Sequence, residues 1–580
     1  MPTRPAGAAI PFTGRLTRRF PRDPWPLAAG AVALVVATPI LIVLSSLATP
    51  TLDVWAHLWQ TQLLELIWNT VALIVGVGAG VAVLGTGLAW LTTMYRFPGR
   101  AIFEWLLILP LAVPAYVIGF VFRGLFDYAG PVQTGLRRIV GPAVWFPDIA
   151  SYGGVVLVMT LVLYPYVYLL ARTAFLEQSE ATFEAARALG ASRTALFWRT
   201  ALPLARPSIA AGLSLAVMEA LADFGTVAIY GYNTLTVAIY RVWFGLFNRE
   251  AATELASLLL LFTGAIYAAE RAWRGRARFY QTERKARPPA PRPLTGWKAW
   301  TASGVAGVVV GGAFLLPVGQ LVVWSVAALG GSDFDDRYPE FVLNTLAVGG
   351  ITALLAVGAA VVVAYGLRLS RSRMVAACGR IATLGYALPG SMIAVGVLLP
   401  LAFLDRVCGA VLRTVWGAEV GLLVTGSMAG LVFAYLVRFL AISVQTVEAS
   451  LVKVTPSMDM AGRSLGLRPG GVLRRIHLPL IRGGLYSAAI LVFIDVIKEM
   501  PATLLLRPFG YETLAVRIWQ LTSESFWEAA ALPALTIVAA GMLPVLILAR
   551  SSARARQGAG WVPGMKGSRD QGWGEGDKVP

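Results

Sequence analysis

Glu184-Ala185-Ala186-Arg187-Ala188-Leu189-Gly190, followed twelve residues later by Leu202-Pro203, has a second copy in the same chain: Met460-Ala461-Gly462-Arg463-Ser464-Leu465-Gly466, followed by Leu478-Pro479. The two glycines lie 276 positions apart, and the spacing from glycine to proline is the same in both copies. Each copy is polar and sits between long apolar segments, so the chain reads as two related halves. A short helix ended by a glycine that tolerates the left-handed conformation, then a basic helix ended by proline before the next apolar run, predicts a rigid polar knob. One such loop would be an ordinary basic loop obeying topology rules. Two matched copies argue for two docking points, each offered to one copy of a soluble partner.

Composition fixes the solvent. Of the 580 residues 57% are hydrophobic and only 14% charged, against about a quarter charged in a soluble domain. The apolar residues gather into runs of roughly 20, the length a helix needs to cross a bilayer, and the alternation expected of barrel strands is absent. The fold expected is all-α and polytopic, with about twelve transmembrane helices. In the first half they fall near 27–47, 66–92, 102–122, 155–170, 209–230 and 252–269. In the second they fall near 302–326, 342–367, 381–404, 420–440, 485–506 and 529–548.

The net charge of +18 does not mark a nucleic-acid binder, because Lys and Arg fall in alternate loops rather than along one face. Arg4, Arg15, Arg18, Arg19 and Arg22 precede the first span, and the connection 48–65 has no Lys or Arg. By the positive-inside rule both termini and the loop 271–298 are cytoplasmic. The division is a basic segment 1–26, a first half 27–270, a basic Pro-rich linker 271–298, a second half 299–550 and a disordered tail 551–580. Further pairs mark the repeat: Asn69-Thr70 with Asn344-Thr345, Pro114 with Pro389, and Asn233-Thr234-Leu235 with Glu512-Thr513-Leu514. Equal numbers of spans in one orientation make the halves parallel about an axis along the membrane normal.

The repeated segments resemble the EAA loop of permease subunits in prokaryotic ATP-binding cassette importers. The first copy matches that pattern at Glu184, Ala185, Ala186, Gly190, Leu202 and Pro203, with Thr200 where an apolar residue is usual. The second matches at Ala461, Gly466, Ile476, Leu478 and Pro479, but carries Met460 and Gly462 in place of Glu and Ala, with Asp459 alongside. The resemblance implies coupling loops pushed by two ATPase subunits, an external binding protein that delivers the substrate, and alternating access in a bacterial inner membrane. No phosphate-binding Gly-x-x-x-x-Gly-Lys-Ser/Thr loop occurs, so ATP and Mg are expected on the partner subunits, with no cofactor, metal or catalytic residue on this chain. The segment 495–515 and the stretch Ala222-Asp223-Phe224-Gly225-Thr226 resemble ferric iron permeases, which implies ferric iron as cargo. Thiamine, polyamine and phosphonate permeases share the architecture. An ion-coupled secondary transporter would leave the paired loops idle.

Spacing singles out one more group. Glu219 and Asp223 are i and i+4 in the fifth span, and Asp495 and Glu499 repeat them with Lys498 alongside. Charges are costly in lipid, so these are candidates for the translocation pathway and must face a cavity or one another. An acidic lining favours a cation, and carboxylate oxygens suit a hard ion such as ferric iron. Structural pairing satisfies the spacing equally well.

Overall fold

The computed structural model describes residues 25–48, 50–274, 289–330, 335–370, 372–417 and 421–542. The amino-terminal segment, most of the linker's basic residues and the tail lie outside these. Among the described residues the regular structure is helical apart from one parallel pairing, Tyr95–Arg96 with Arg292–Pro293.

The first half runs α1 (Trp25–Ser45), α2 (Leu63–Met94), α3 (Ala115–Phe126), α4 (Tyr152–Glu177), α5 (Glu180–Ala188), α6 (Leu202–Ala222), α7 (Gly225–Ile229), α8 (Leu235–Gly245) and α9 (Arg249–Arg274). The second runs α10 (Trp297–Val310), α11 (Leu316–Gly330), α12 (Tyr338–Leu369), α13 (Arg373–Ala382), α14 (Gly390–Trp416), α15 (Met428–Leu451), α16 (Pro456–Ser464), α17 (Leu478–Ile497), α18 (Pro501–Leu506), α19 (Leu514–Ser523) and α20 (Trp527–Met542). Helices α2, α4 and α6 pack together as the core of one half, and α12, α15 and α17 as the core of the other. Local chemistry repeats with them. Ser151 and Ser427 cap α4 and α15, each accepting from the backbone N–H three residues on.

The Asn-Thr pairs explain themselves. Asn69 Nδ2 donates to the Asn233 carbonyl and Asn344 Nδ2 to the Glu512 carbonyl, both at 3.0 Å. The neighbouring hydroxyls of Thr70 and Thr345 accept from the Leu235 and Leu514 N–H groups. The Asn-Thr pair of each half is thus bonded to that half's Asn233-Thr234-Leu235 or Glu512-Thr513-Leu514 marker, pinning the connection after the fifth span to the second span.

The outer helices do not stay with their own half. Helix α1 packs against α12, α13 and α14, and α11 packs on α3. Gly396 of α14 lies so close to the Pro39 carbonyl that a Cβ there would sit 2.6 Å from it. The last helices cross over too: α9 packs on α14, and Trp527 of α20 stacks on Phe120 of α3.

Among the described residues ten helices are long and apolar enough to span, or eleven with one bent pair. Two spans of each half are not the continuous helices expected. The third is broken: Arg100–Ala112 and Ala115–Val140 meet at 94° across Pro114, and α13 is separated from α14 by a break ending at Pro389. The fifth stops at Asp223 and at Lys498, then restarts as the short helices α7 and α18. Hydropathy misses such breaks because both sides remain apolar. The expectation that Pro203 and Pro479 end the basic helices also fails. Single helices run from Arg193 to Ala222 and from Gly470 to Ile497. A π turn, Leu196–Ala201 or Leu473–His477, precedes each proline. Its extra residue moves aside the carbonyl that the proline ring would otherwise strike.

Candidate functional site

The repeated segments form matching projections. Helices α5 and α16 both end in a residue of positive φ, Gly190 at 84° and Gly466 at 82°. In each the next N–H reaches back to close the turn, Ala191 to the Ala186 carbonyl and Leu467 to the Gly462 carbonyl, both at 3.0 Å. Leu189 and Leu465 stand at the tips, 90% and 83% exposed. Glu184, Ala185, Ala461, Pro203 and Pro479 are exposed, whereas Ala186, Leu202, Ile476 and Leu478 are half-buried at the base. The glycine at 462 has a steric cause: a Cβ there would lie 2.7 Å from Ile476 Cδ1.

The anchors beneath the projections differ. Under α5 lies an aromatic cluster in which Trp90 packs on Phe175, Phe183 and Phe197. Glu180 binds Arg187 and accepts from the Ala290 N–H at 2.7 Å, so the end of the linker is tied to this helix. Under α16 the site is ionic. Asp459 lies 3.0 Å from Arg368 Nη2 and 2.6 Å from Nε2 of the fully buried His477, and Arg368 also donates to the Leu451 carbonyl. Asp459 therefore turns inward and does not stand in for Glu184.

The second site is a cavity of about 110 Å³ where three of the helix breaks meet, at Pro114, Asp223 and Glu499. All five residues singled out from spacing line it, together with Tyr116, Tyr166, Tyr386 and Arg438. Two of the carboxylates serve as caps. Asp223 accepts from the Thr226 N–H at 2.8 Å and the Thr226 hydroxyl at 3.0 Å, starting α7. Glu499 accepts from the Ala502 N–H at 3.1 Å, starting α18, and from Arg438 Nη1 at the same distance. The other two face the cavity, Asp495 against Lys498 Nζ at 2.8 Å and Glu219 accepting from the Tyr386 hydroxyl at 3.3 Å. All four carboxylates line the cavity, and two of them are paired there with cations, Glu499 with Arg438 and Asp495 with Lys498. Arg438 and the tyrosines escape a spacing argument because they come from α15, α3, α4 and the loop before α14, with no partner in the repeat.

Residues 81–269 match the family model described as binding-protein-dependent transport system inner membrane component. The Fe(3+)-transport system permease protein FbpB 2 of Haemophilus influenzae is 28% identical over 85% of this chain and 90% of its own length. The ferric transport system permease protein FbpB of Actinobacillus pleuropneumoniae is 24% identical over 77% of this chain and 65% of its own. The sulfate transport system permease protein CysT of Escherichia coli is 28% identical over 40% of this chain and 86% of its own. A match confined to one half, joined to relatives that run through both, agrees with the paired cores, paired breaks and paired projections. Residues 81–269 thus carry the likeness to inner-membrane components of binding-protein-dependent transport systems, and along both halves the chain is similar to Fe(3+)-transport permease proteins.

Proposed function

We propose that this chain is the membrane subunit of an ATP-driven importer and that its cargo is ferric iron handed over by an external binding protein. Similarity along nearly the whole chain to the Haemophilus Fe(3+) permease carries the choice of cargo. The paired projections support the drive: α5 and α16 dock one ATPase subunit each, with Leu189-Gly190 and Leu465-Gly466 at the tips and Glu184 contacting the partner on one side only. Both termini and both projections face the cytoplasm, as the Lys and Arg distribution supports. ATP binding closes the ATPase pair, and the cavity between the halves changes its access from outside to inside. Glu219 and Asp495 meet the cargo there, while Asp223 and Glu499 hold the helix breaks open. The sulfate relative raises an anion as a rival. Arg438 does not favour it, since its guanidinium is already paired with Glu499.

The test is uptake of radioactive ferric iron into proteoliposomes that hold this chain and its ATPase, with ATP inside and candidate binding proteins outside. Uptake that needs both ATP and an iron-loaded binding protein is expected. ATPase stimulation by a binding protein loaded with another solute, with no response to iron, would overturn the cargo and keep the machine.

A further inference from the structure

The cavity holds four carboxylates and two cations, and both cations come from the second half. Positions 276 earlier than Lys498 and Arg438 are Ala222 and Val162, both buried and apolar. The two ion pairs also differ in access to water. The side chains of Arg438 and Glu499 are 10% and 5% exposed, and Glu499 is occupied as a cap. Those of Lys498 and Asp495 are 28% and 21% exposed. The first is a fixed structural pair. The second is the more exposed of the two, at the cavity wall, and an ion pair open to solvent is weak enough to exchange; the Lys498 ammonium also lies in the field of Glu219.

A hard trivalent cation entering this cavity meets the oxygens of Glu219, Asp495 and the phenols of Tyr166 and Tyr386. With Asp495 free its carboxylate adds to that set and lengthens the ion's stay, and a conduit fails if its site does not let go. Among the described residues no three of His, Cys, Asp and Glu gather closely enough to hold a metal. Resting on the ferric-iron reading, we propose that Lys498 is the release-determining residue: a tethered cation that competes with the cargo for Asp495 and keeps the acidic wall from becoming a trap. Lys498 swings aside as a trivalent cation arrives and returns to Asp495 as it leaves, so residence stays short.

Terbium(III), a hard trivalent ion whose emission is excited through nearby tyrosines, probes this in the purified complex of chain and ATPase. Lys498→Met is expected to bind terbium about tenfold or more tightly than the parent, with Lys498→Arg like the parent. In proteoliposomes Lys498→Met should lower kcat for ferric uptake while KM stays level or falls. Asp495→Asn should bind terbium no more tightly than the parent and raise KM, and a rise in terbium affinity there overturns the proposal. Equal affinity and turnover in the parent and Lys498→Met overturn it as well. If the parent moves no ferric iron but Lys498→Met still gains terbium affinity, the cargo assignment falls and the competitor role stands.

Discussion

At position 390 there is no room for a methyl group, because a Cβ would run into Arg438 Nη1 and Glu499 Oε1. Its counterpart in the other half is Ala115, at the same place after the proline of the broken span. Gly390→Ala should therefore cost about 1–3 kcal/mol by forcing the buried pair apart, read as a lower melting temperature of the solubilised protein, whereas Ala115→Gly should change it little. Gly190 and Gly466 carry a different constraint, a positive φ at an exposed tip. Gly190→Asp or Gly466→Asp is expected to uncouple ATP hydrolysis from uptake with the protein still in the membrane. Normal uptake in both variants would refute the docking role. The sequence made all five charged candidates legible through spacing, but not their division of labour. Asp223 and Glu499 are followed by Thr226 and Pro501, signals of a helix start, and an apolar run read as one span hid them.

Among the elements, α5 and α16 share geometry and differ in footing. Trp90 and Phe183 lie beneath one, and Tyr365 and Asp459 occupy the equivalent positions beneath the other. Asp459→Ala should free α16 from Arg368 and His477, so amide exchange across residues 456–464 is expected to quicken about tenfold, near 1.4 kcal/mol, with 180–188 unchanged. Phe183→Ala should do the reverse. Equal effects on both helices would show that the footings are not independent. The lengths of most spans were legible, since a 20-residue apolar run has few alternatives. The breaks of the fifth spans were not, whereas Pro114 and Pro389 mark those of the third: a residue before proline avoids the helical region, and Val113 and Leu388 are extended.

For the whole molecule, sequence halves and packed halves do not coincide. A period of 276 residues identifies two units but says nothing of which helix rests on which, because crossed and uncrossed packings bury the same apolar faces. Gly396→Leu, which would push Pro39 and α1 away, should loosen α13 and α14 in hydrogen exchange while leaving the α2, α4 and α6 core as protected as before. Loosening of the first core instead would contradict the crossed arrangement. The crossing also has a consequence in time. Helix α1 leaves the ribosome well before α13, because Arg373, the start of α13, follows Ser45 by 328 positions. At about 5–20 residues per second, synthesis takes roughly 15–65 s to supply that partner. Until then α1 waits in lipid without α13 and α14, and a single polypeptide keeps those neighbours, when they arrive, on the same molecule.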